Sequence, residues 1–178
     1  QGSAIFPAKF MLVGSMNPCP CGYHGDPTHY CNCTPYQISR YLDRLSGPLL
    51  DRFDIHLEVR PISFEKLTGD YEGETSEEIK KEVDKARSIQ LDRYKNKGIY
   101  NNAQLNSKQM RIYCKLTGRQ KTMIKVAFTA MSLSARAYDR ILRVARTIAD
   151  LEEEEHILDH HLAEAIQYRS LDRQYWNY

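Results

Sequence analysis

The second half of this chain carries helical patterning and almost no strand signal, which restricts most of the molecule to an α-helical fold. Thr75 and Glu78 have capping-box spacing and predict a helix that fades near residue 97. A second helix is predicted over about 135–151, behind Ser134 as its N-cap. Its apolar stripe consists of Ala137, Ile141, Val144 and Ile148. Further helices are predicted at about 107–117, 119–131 and 159–173.

Two short apolar runs in the first half, residues 9–16 and 54–60, predict β-strands. The first is rich in Phe, Leu, Val and Met, as buried strands are. A buried strand needs neighbours on both sides, and the chain offers few, so the sequence is expected to be part of a larger domain. The predicted fold class is therefore an α/β fragment with two strands followed by an all-helical part, mainly α overall.

Composition narrows the class of protein further. An apolar content of 42% excludes wholesale disorder, and no apolar run approaches the roughly 20 residues of a membrane span. No secretory signal is visible, so we expect a cytoplasmic protein without a membrane partner. The short acidic stretch 71–75 suggests a hinge, which places the domain boundary between 1–70 and 71–178.

Four of the five cysteines form a C-x-C-x9-C-x-C pattern: Cys19, Cys21, Cys31 and Cys33. Cytosolic thiols this close suggest a metal, and four thiolates would enclose a structural Zn²⁺. His24 or His29 could replace one cysteine as a ligand. The alternative is a flexible loop of reduced, unmetallated thiols. Cys114, on an apolar helical face, is predicted to be a core residue.

Positive charge is concentrated between residues 108 and 149, with ten Lys or Arg and one acid, Asp139. Such density favours contact with phosphate, in a nucleotide or a nucleic acid. The alternative is a solvated helical face. The ten cations are Lys108, Arg111, Lys115, Arg119, Lys121, Lys125, Arg136, Arg140, Arg143 and Arg146.

Three polar residues stand where a nucleotide site could use them. Asn17 follows the first apolar run, where an α/β sheet presents its ligands. Arg52 follows a short predicted helix. Arg136 lies in the first turn of a helix, where the helix dipole disfavours a cation, so a nearby anion is expected.

The strings around these residues resemble one family over nearly the whole chain. They are Gly14–Gly22 (GSMNPCPCG), Arg44–His56 (RLSGPLLDRFDIH), Leu133–Leu151 (LSARAYDRILRVARTIADL) and Ala163–Arg173 (AEAIQYRSLDR). All resemble the magnesium-chelatase-like AAA+ ATPases of the ComM/YifB type. The resemblance implies the C-terminal portion of a ring-forming ATPase, a hexamer by expectation. Residues 1–70 would end its α/β core, with a cysteine-rich insertion at 19–33, and 71–178 would form its helical lid.

The same resemblance assigns roles to residues. Asn17 would be sensor 1, Arg52 the arginine finger that reaches the ATP of the next subunit, and Arg136 the sensor 2 contact to phosphate. Simpler roles remain open: Asn17 could cap a turn, Arg52 could pair with Asp51 or Asp54, and Arg136 could be solvated. Arg44 could be a second interface arginine, whereas Arg140 and Arg143 are expected on a solvated face.

Neither a G-x-x-x-x-G-K-[ST] motif nor an acidic pair ending an apolar strand occurs in this sequence. ATP and Mg²⁺ would then be bound mainly by upstream residues, and this chain alone should not hydrolyse ATP.

Three functions remain open. The first is an ATP-driven motor on DNA, of helicase or branch-migration type in recombination or natural transformation. The others are a chelatase-like or chaperone-like ATPase that remodels a protein, and a zinc-dependent nucleic-acid-binding module.

Overall fold

The computed structural model describes residues 3–4, 10–59, 64 and 73–169. The chain forms two compact units, Gln1–Arg44 and Leu45–Tyr178. Among the described residues, no helix has the length and apolar character needed to cross a bilayer. The predicted boundary between residues 70 and 71 lies outside the described residues.

The described residues of the first unit form turns, bends and irregular segments, followed by helix α1, Pro35–Leu42. The helix begins there because Thr34 and Gln37 form a reciprocal capping box and Pro35 occupies the first helical turn. Ile38 and Leu42 are the buried residues of α1.

The second unit is a helical bundle. Its described elements are α2 (Gly47–Leu50), α3 (Ser76–Arg93), a 3₁₀ turn (Asn102–Gln104), α4 (Ser107–Tyr113), α5 (Gly118–Ala130), α6 (Ala135–Leu151) and α7 (Asp159–Gln167). Helix α6 is the central element and packs against α3, α4 and α7. Its apolar stripe is buried as predicted, and Cys114 joins the same core.

Local capping explains where these helices start. Thr75 and Glu78 form the predicted capping box at α3, and the Ser134 hydroxyl accepts the N–H of Ala137 at 3.1 Å. Thr117 and Gln120 form another capping box at the start of α5, and the preceding helix α4 ends at Tyr113, before the predicted limit of 117. Helix α7 ends at Gln167, before the predicted limit of 173.

The prediction of two β-strands is wrong. Residues 10–16 and 54–59, the described parts of the two runs, contain no strand. A strand needs a neighbour to pair its N–H and C=O groups, and no neighbouring strand exists among the described residues. Val13 is accordingly 81% exposed and Val59 90% exposed. The described structure is therefore helical without a sheet, and only the mainly α character of the prediction holds.

Candidate functional site

The four cysteines that form two pairs in the sequence converge in the first unit. The Cys19 sulfur lies 3.3 Å from that of Cys21 and 3.7 Å from that of Cys31. The sulfurs of Cys21 and Cys31 are 3.5 Å apart. With Cys33, all four sulfur atoms lie within 4.8 Å of one another, and all are free thiols.

This arrangement fits a closed four-thiolate metal site. Zn–S bonds of about 2.3 Å in a tetrahedron place the sulfurs about 3.8 Å apart, close to the separations in the cluster. Four protein ligands leave no open position, which suits a structural ion. Neither His24 nor His29 belongs to the group of converging ligand atoms. Instead, His29 Nδ1 lies 2.9 Å from the hydroxyl of Thr28.

Polar turns, rather than apolar packing, bring the two cysteine pairs together. Gly22 and Gly25 adopt positive φ angles of 87° and 83°, a conformation that glycine tolerates best. The Asp26 carboxylate accepts hydrogen bonds from the hydroxyl and the N–H of Thr28, both at 2.7 Å, and from the N–H of His29 at 3.0 Å. These bonds, with the Thr28 hydroxyl foremost, lower the pKa of Asp26 to about 2.

The thiols of the cluster differ in acidity. A hydrogen bond from the Tyr23 backbone, assisted by the Cys19 thiol, lowers the pKa of Cys21 to about 6. Burial and the neighbouring thiols raise the pKa of Cys33 to about 12. A backbone hydrogen bond from Cys33 favours the thiolate of Cys31, but burial and neighbouring thiols outweigh it and raise the Cys31 pKa. Near neutral pH the cluster therefore combines a thiolate at Cys21 with thiols at Cys31 and Cys33, and a bound cation would displace the protons of these two.

Asn17 lies two residues before the cluster and is exposed. A Cβ atom placed on Gly22 would lie 3.8 Å from Asn17 Nδ2, so the cysteine loop folds back beside this side chain. Within the described residues, the Asn17 amide makes no hydrogen bond and does not cap the following turn.

Arg52 belongs to the second unit and is exposed directly after α2. Its guanidinium donates to the carbonyl of Pro48 at 2.6 Å. The two neighbouring acids bind other arginines: Asp54 pairs with Arg140, and the Asp51 carboxylate lies 3.9 Å from the Arg169 guanidinium. Arg52 therefore has no acidic partner among the described residues.

Arg136 occupies the second position of α6 and is exposed. Within the described part of the chain, its guanidinium has no hydrogen-bond or ion-pair partner. Because a cation at a helix N-terminus opposes the helix dipole, this position is electrostatically suited to a bound anion. Of the predicted site residues, the structure clusters the four cysteines, while Arg52 lies in the turn after α2 and Arg136 lies on α6 of the second unit.

Several cations of the 108–149 segment are bound within the second unit. Arg119 pairs with Asp159 at 3.0 Å, Arg140 with Asp54, and Arg143 donates to the Leu105 carbonyl at 2.7 Å. Arg146 is buried against Asp150. The prediction that Arg143 belongs to a solvated face did not anticipate its bond to a backbone carbonyl. The other six cations are exposed and form no ion pair among the described residues: Lys108, Arg111, Lys115, Lys121, Lys125 and Arg136.

A second group of potential ligands was not anticipated from the sequence. The Glu152 carboxylate lies 2.7 Å from His160 Nε2 and 2.9 Å from His161 Nε2. The N–H of Leu158 donates to His161 Nδ1 at 2.9 Å, so the proton of the neutral ring is on Nε2 and points to Glu152. The Glu152 carboxylate and the two Nε2 atoms are thus engaged with one another, and the group forms a hydrogen-bonded cap at the start of α7. The adjacent histidines were the only sequence signal for it.

Comparison with known families gives two consecutive matches. Residues 1–67 match the family described as magnesium chelatase, subunit ChlI, and residues 73–169 match the one described as magnesium chelatase, subunit ChlI C-terminal. The second match covers more than half of the chain.

Individual relatives agree with these matches. Competence protein ComM of Haemophilus influenzae is 48% identical over 170 residues, which cover 94% of this chain and 32% of the relative. YifB of Escherichia coli is 42% identical over 176 residues, 97% of this chain and 33% of the relative. YifB of Salmonella typhimurium is 40% identical over 175 residues, again 97% and 33%. The chain spans about a third of the length of these relatives, and it belongs to the magnesium chelatase ChlI family, with relatives of the ComM and YifB type.

Proposed function

We propose that this chain supplies sensor 1, the arginine finger and sensor 2 of a ring-forming, ATP-dependent AAA+ motor that acts on DNA. The observation that carries the proposal is that the Arg52 side chain is exposed and lacks an acidic partner among the described residues, although two acids are its near neighbours in sequence. Those acids, Asp51 and Asp54, are engaged by Arg169 and Arg140.

An exposed, permanently charged guanidinium is suited to phosphoryl transfer. Its planar N–H groups match the oxygens of a phosphate, and charge accumulates on those oxygens in the transition state. An arginine supplied by a neighbouring subunit is worth roughly 10³–10⁵ in rate in such NTPases. In the proposed ring, Arg52 of one subunit acts on the ATP bound by the next.

Arg136 and Asn17 are the proposed contacts to the nucleotide within a subunit. Arg136 stands at the N-terminus of α6, where the helix dipole and its own charge both favour an anion. The exposed Asn17 amide can donate to and orient the attacking water. ATP supplies the transferable phosphoryl group, and we expect Mg²⁺ and most of the nucleotide to be bound by residues outside this sequence.

The cysteine cluster is proposed to hold a structural Zn²⁺. Cys19, Cys21, Cys31 and Cys33 would be its ligands, as their sulfur separations support. The loop they enclose has few apolar residues of its own, so the ion would replace a hydrophobic core there. Because the loop folds beside Asn17, the ion would also fix the position of that side chain.

Two observations support DNA as the proposed substrate: the exposed cations and the name of one relative. Six exposed Lys and Arg side chains of the 108–149 segment form no ion pair within the described residues, and exposed cations bind phosphate backbones with little sequence preference. The Haemophilus relative is named a competence protein. A hexameric ring would place several such surfaces around one DNA strand.

A protein substrate is the second candidate. Four of the ten cations, Arg119, Arg140, Arg143 and Arg146, are already bound within their own unit, which reduces the charge available to DNA. The family descriptions name magnesium chelatase, an activity that does not require a nucleic acid.

ATP turnover of the full-length protein that contains this chain separates the candidates. We would measure it with no DNA, with single-stranded DNA and with branched DNA, for the parent and for Arg52→Ala. Stimulation by DNA that disappears in Arg52→Ala is expected. Turnover that depends on Arg52 but ignores DNA would favour a protein substrate. Turnover that ignores Arg52 would reject the arginine finger. The matched control is Arg119→Ala, which removes an exposed arginine paired with Asp159.

A further inference from the structure

The backbone that carries Arg52 is fastened to helix α6 by Arg140. Arg140 Nε donates to the carbonyl of Asp51 at 2.9 Å, and its Nη1 forms an ion pair with the carboxylate of Asp54. The Arg140 side chain is 19% exposed, so these bonds are partly shielded from water. The Arg140 side chain thus binds Asp51, which precedes Arg52, and Asp54, which follows it. The Arg52 side chain itself remains exposed.

Arg169, just beyond α7, holds the same segment from a second side. Its side chain is fully buried, and its Nη1 donates to the carbonyl of Phe53. The N–H of His56 donates to the carbonyl of Tyr168 at 2.9 Å. Carbonyls immediately before and after Arg52 are therefore both bound by arginines of the helical bundle.

Arg140 also lies one helical turn after Arg136 on the same rigid helix. Residues four apart on an α-helix face the same side and are about 6 Å apart. A shift of α6 that accompanies phosphate contact at Arg136 would be transmitted to Asp51 and Asp54 through Arg140, and so to Arg52.

We infer that Arg140 is a positioning residue that holds the Arg52 segment on helix α6 and couples it to Arg136. The inference rests on the proposed function: nucleotide contact in one subunit adjusts the arginine that acts on the next subunit. It gives a role to an arginine that charge counting alone places on a solvated face.

A double-mutant cycle in the full-length protein tests whether Arg140 acts through Arg52. We would measure kcat and KM for ATP in Arg52→Ala, Arg140→Ala and the variant that carries both changes. If Arg140 acts through Arg52, Arg140→Ala lowers kcat about a hundredfold, as a misplacement of about 1 Å can, with little change in KM. The combined variant is then no slower than Arg52→Ala, because its finger is already absent.

The outcomes distinguish the proposed arginine-finger role of Arg52 from the inferred positioning role of Arg140. An unchanged kcat in Arg52→Ala overturns the proposed arginine finger itself. A loss in Arg52→Ala that multiplies with the loss in Arg140→Ala overturns only the coupling through Arg140. Arg119→Ala is the control, since it removes an ion pair elsewhere in the bundle and should leave kcat unchanged.

A second variant covers the case in which Arg140→Ala does not fold. Asp54→Asn removes the ion pair but keeps the Arg140 bond to the Asp51 carbonyl, so a smaller, still non-additive loss of kcat is expected. Hydrogen exchange on the 178-residue chain provides an independent readout. Faster exchange of the His56 amide in Asp54→Asn supports the inference that Arg140 holds the Arg52 segment. Unchanged exchange together with unchanged kcat overturns that inference.

Discussion

The carboxylate of Asp150 is fully buried and accepts a hydrogen bond from Arg93 Nη1 at 2.8 Å, which joins helix α6 to helix α3. The same carboxylate accepts a bond from Asn102 at 2.8 Å and one from Arg146 at 3.1 Å. Arg146 in turn donates to the carbonyls of Glu154 and Glu155 beyond the end of α6. One buried acid thus connects two helices, the 3₁₀ turn and a loop.

Replacing Asp150 should destabilise the second unit strongly. Asp150→Ala leaves Arg93 and the buried Arg146 without their common partner, and an uncompensated buried charge costs about 3–5 kcal/mol. Urea denaturation of the 178-residue chain measures this loss. Asp92→Ala, an exposed acid on α3, is the control and should change the free energy of unfolding by less than about 0.5 kcal/mol. Equal effects of the two changes would show that the network contributes nothing.

The cysteine cluster should bind one Zn²⁺ per chain. Replacing Cys21 or Cys33 by Ser removes one ligand of a four-thiolate site and should lower the bound zinc to well below one equivalent. Elemental analysis of purified protein gives the ratio of metal to chain. Cys114→Ala is the matched control, because Cys114 is a core thiol outside the cluster. Full zinc content in all three variants would rule out the cluster as the site.

Zinc binding should also release protons. Near pH 7 Cys21 is ionised, with a pKa of about 6, whereas Cys33, with a pKa of about 12, and Cys31, with a raised pKa, retain their protons. Binding that displaces at least two protons raises the apparent affinity by about a hundredfold or more per pH unit. Calorimetry in buffers of different ionisation enthalpy measures the number released. A value near zero would contradict the assignment of these thiols as ligands.

Acid should weaken the contact between Glu152 and the start of α7. Hydrogen bonds from His160 and His161 lower the pKa of Glu152 below its usual value. A carboxyl with a lowered folded-state pKa stabilises the fold above its unfolded pKa, about 4.3, and loses that contribution as the pH falls through the folded value. Unfolding of Glu152→Gln should therefore depend less on pH below about 4.3 than unfolding of the parent. Glu154→Gln, whose side chain makes no such bonds within the described residues, should follow the parent curve.

Helix positions could be predicted because their determinants are local in sequence. Two helices are capped through bonds that span only three residues. Thr75 and Glu78 cap α3, and Ser134, two residues before Arg136, caps α6. The cysteine cluster was predicted for a similar reason, since two close pairs need only one loop to meet. The stripe on α6 was visible because helical periodicity places its members on one face.

The features that could not be predicted from the sequence depend on contacts between residues that are distant in the chain. The bond from Arg140 to Asp51 spans 89 positions and that from Arg169 to Phe53 spans 116, so charge counting could not separate these arginines from solvated ones. The strand prediction failed for the same reason. The apolar composition of residues 10–16 suits a buried strand, but pairing depends on neighbours that the described residues do not provide.

DNA binding, if it uses the exposed cations, should become less dependent on salt when two of them are removed. Lys121 and Lys125 lie four residues apart on α5 and are both exposed, so they can contact neighbouring phosphates. Each lost phosphate contact reduces the slope of log K against log salt by about 0.9 for duplex DNA. The double change to Ala should therefore reduce the slope by about 2, as measured by fluorescence anisotropy of labelled DNA over a series of salt concentrations.

The control for this measurement is the double change of Lys80 and Lys81 to Ala on α3. Their ammonium groups already pair with Asp84 and Glu77, so removing them should release few counterions and leave the slope near its parent value. Equal slopes for all three proteins would mean that α5 does not contact DNA. Because Lys121 and Lys125 are among the exposed cations that support a DNA substrate, that result would favour a protein substrate instead.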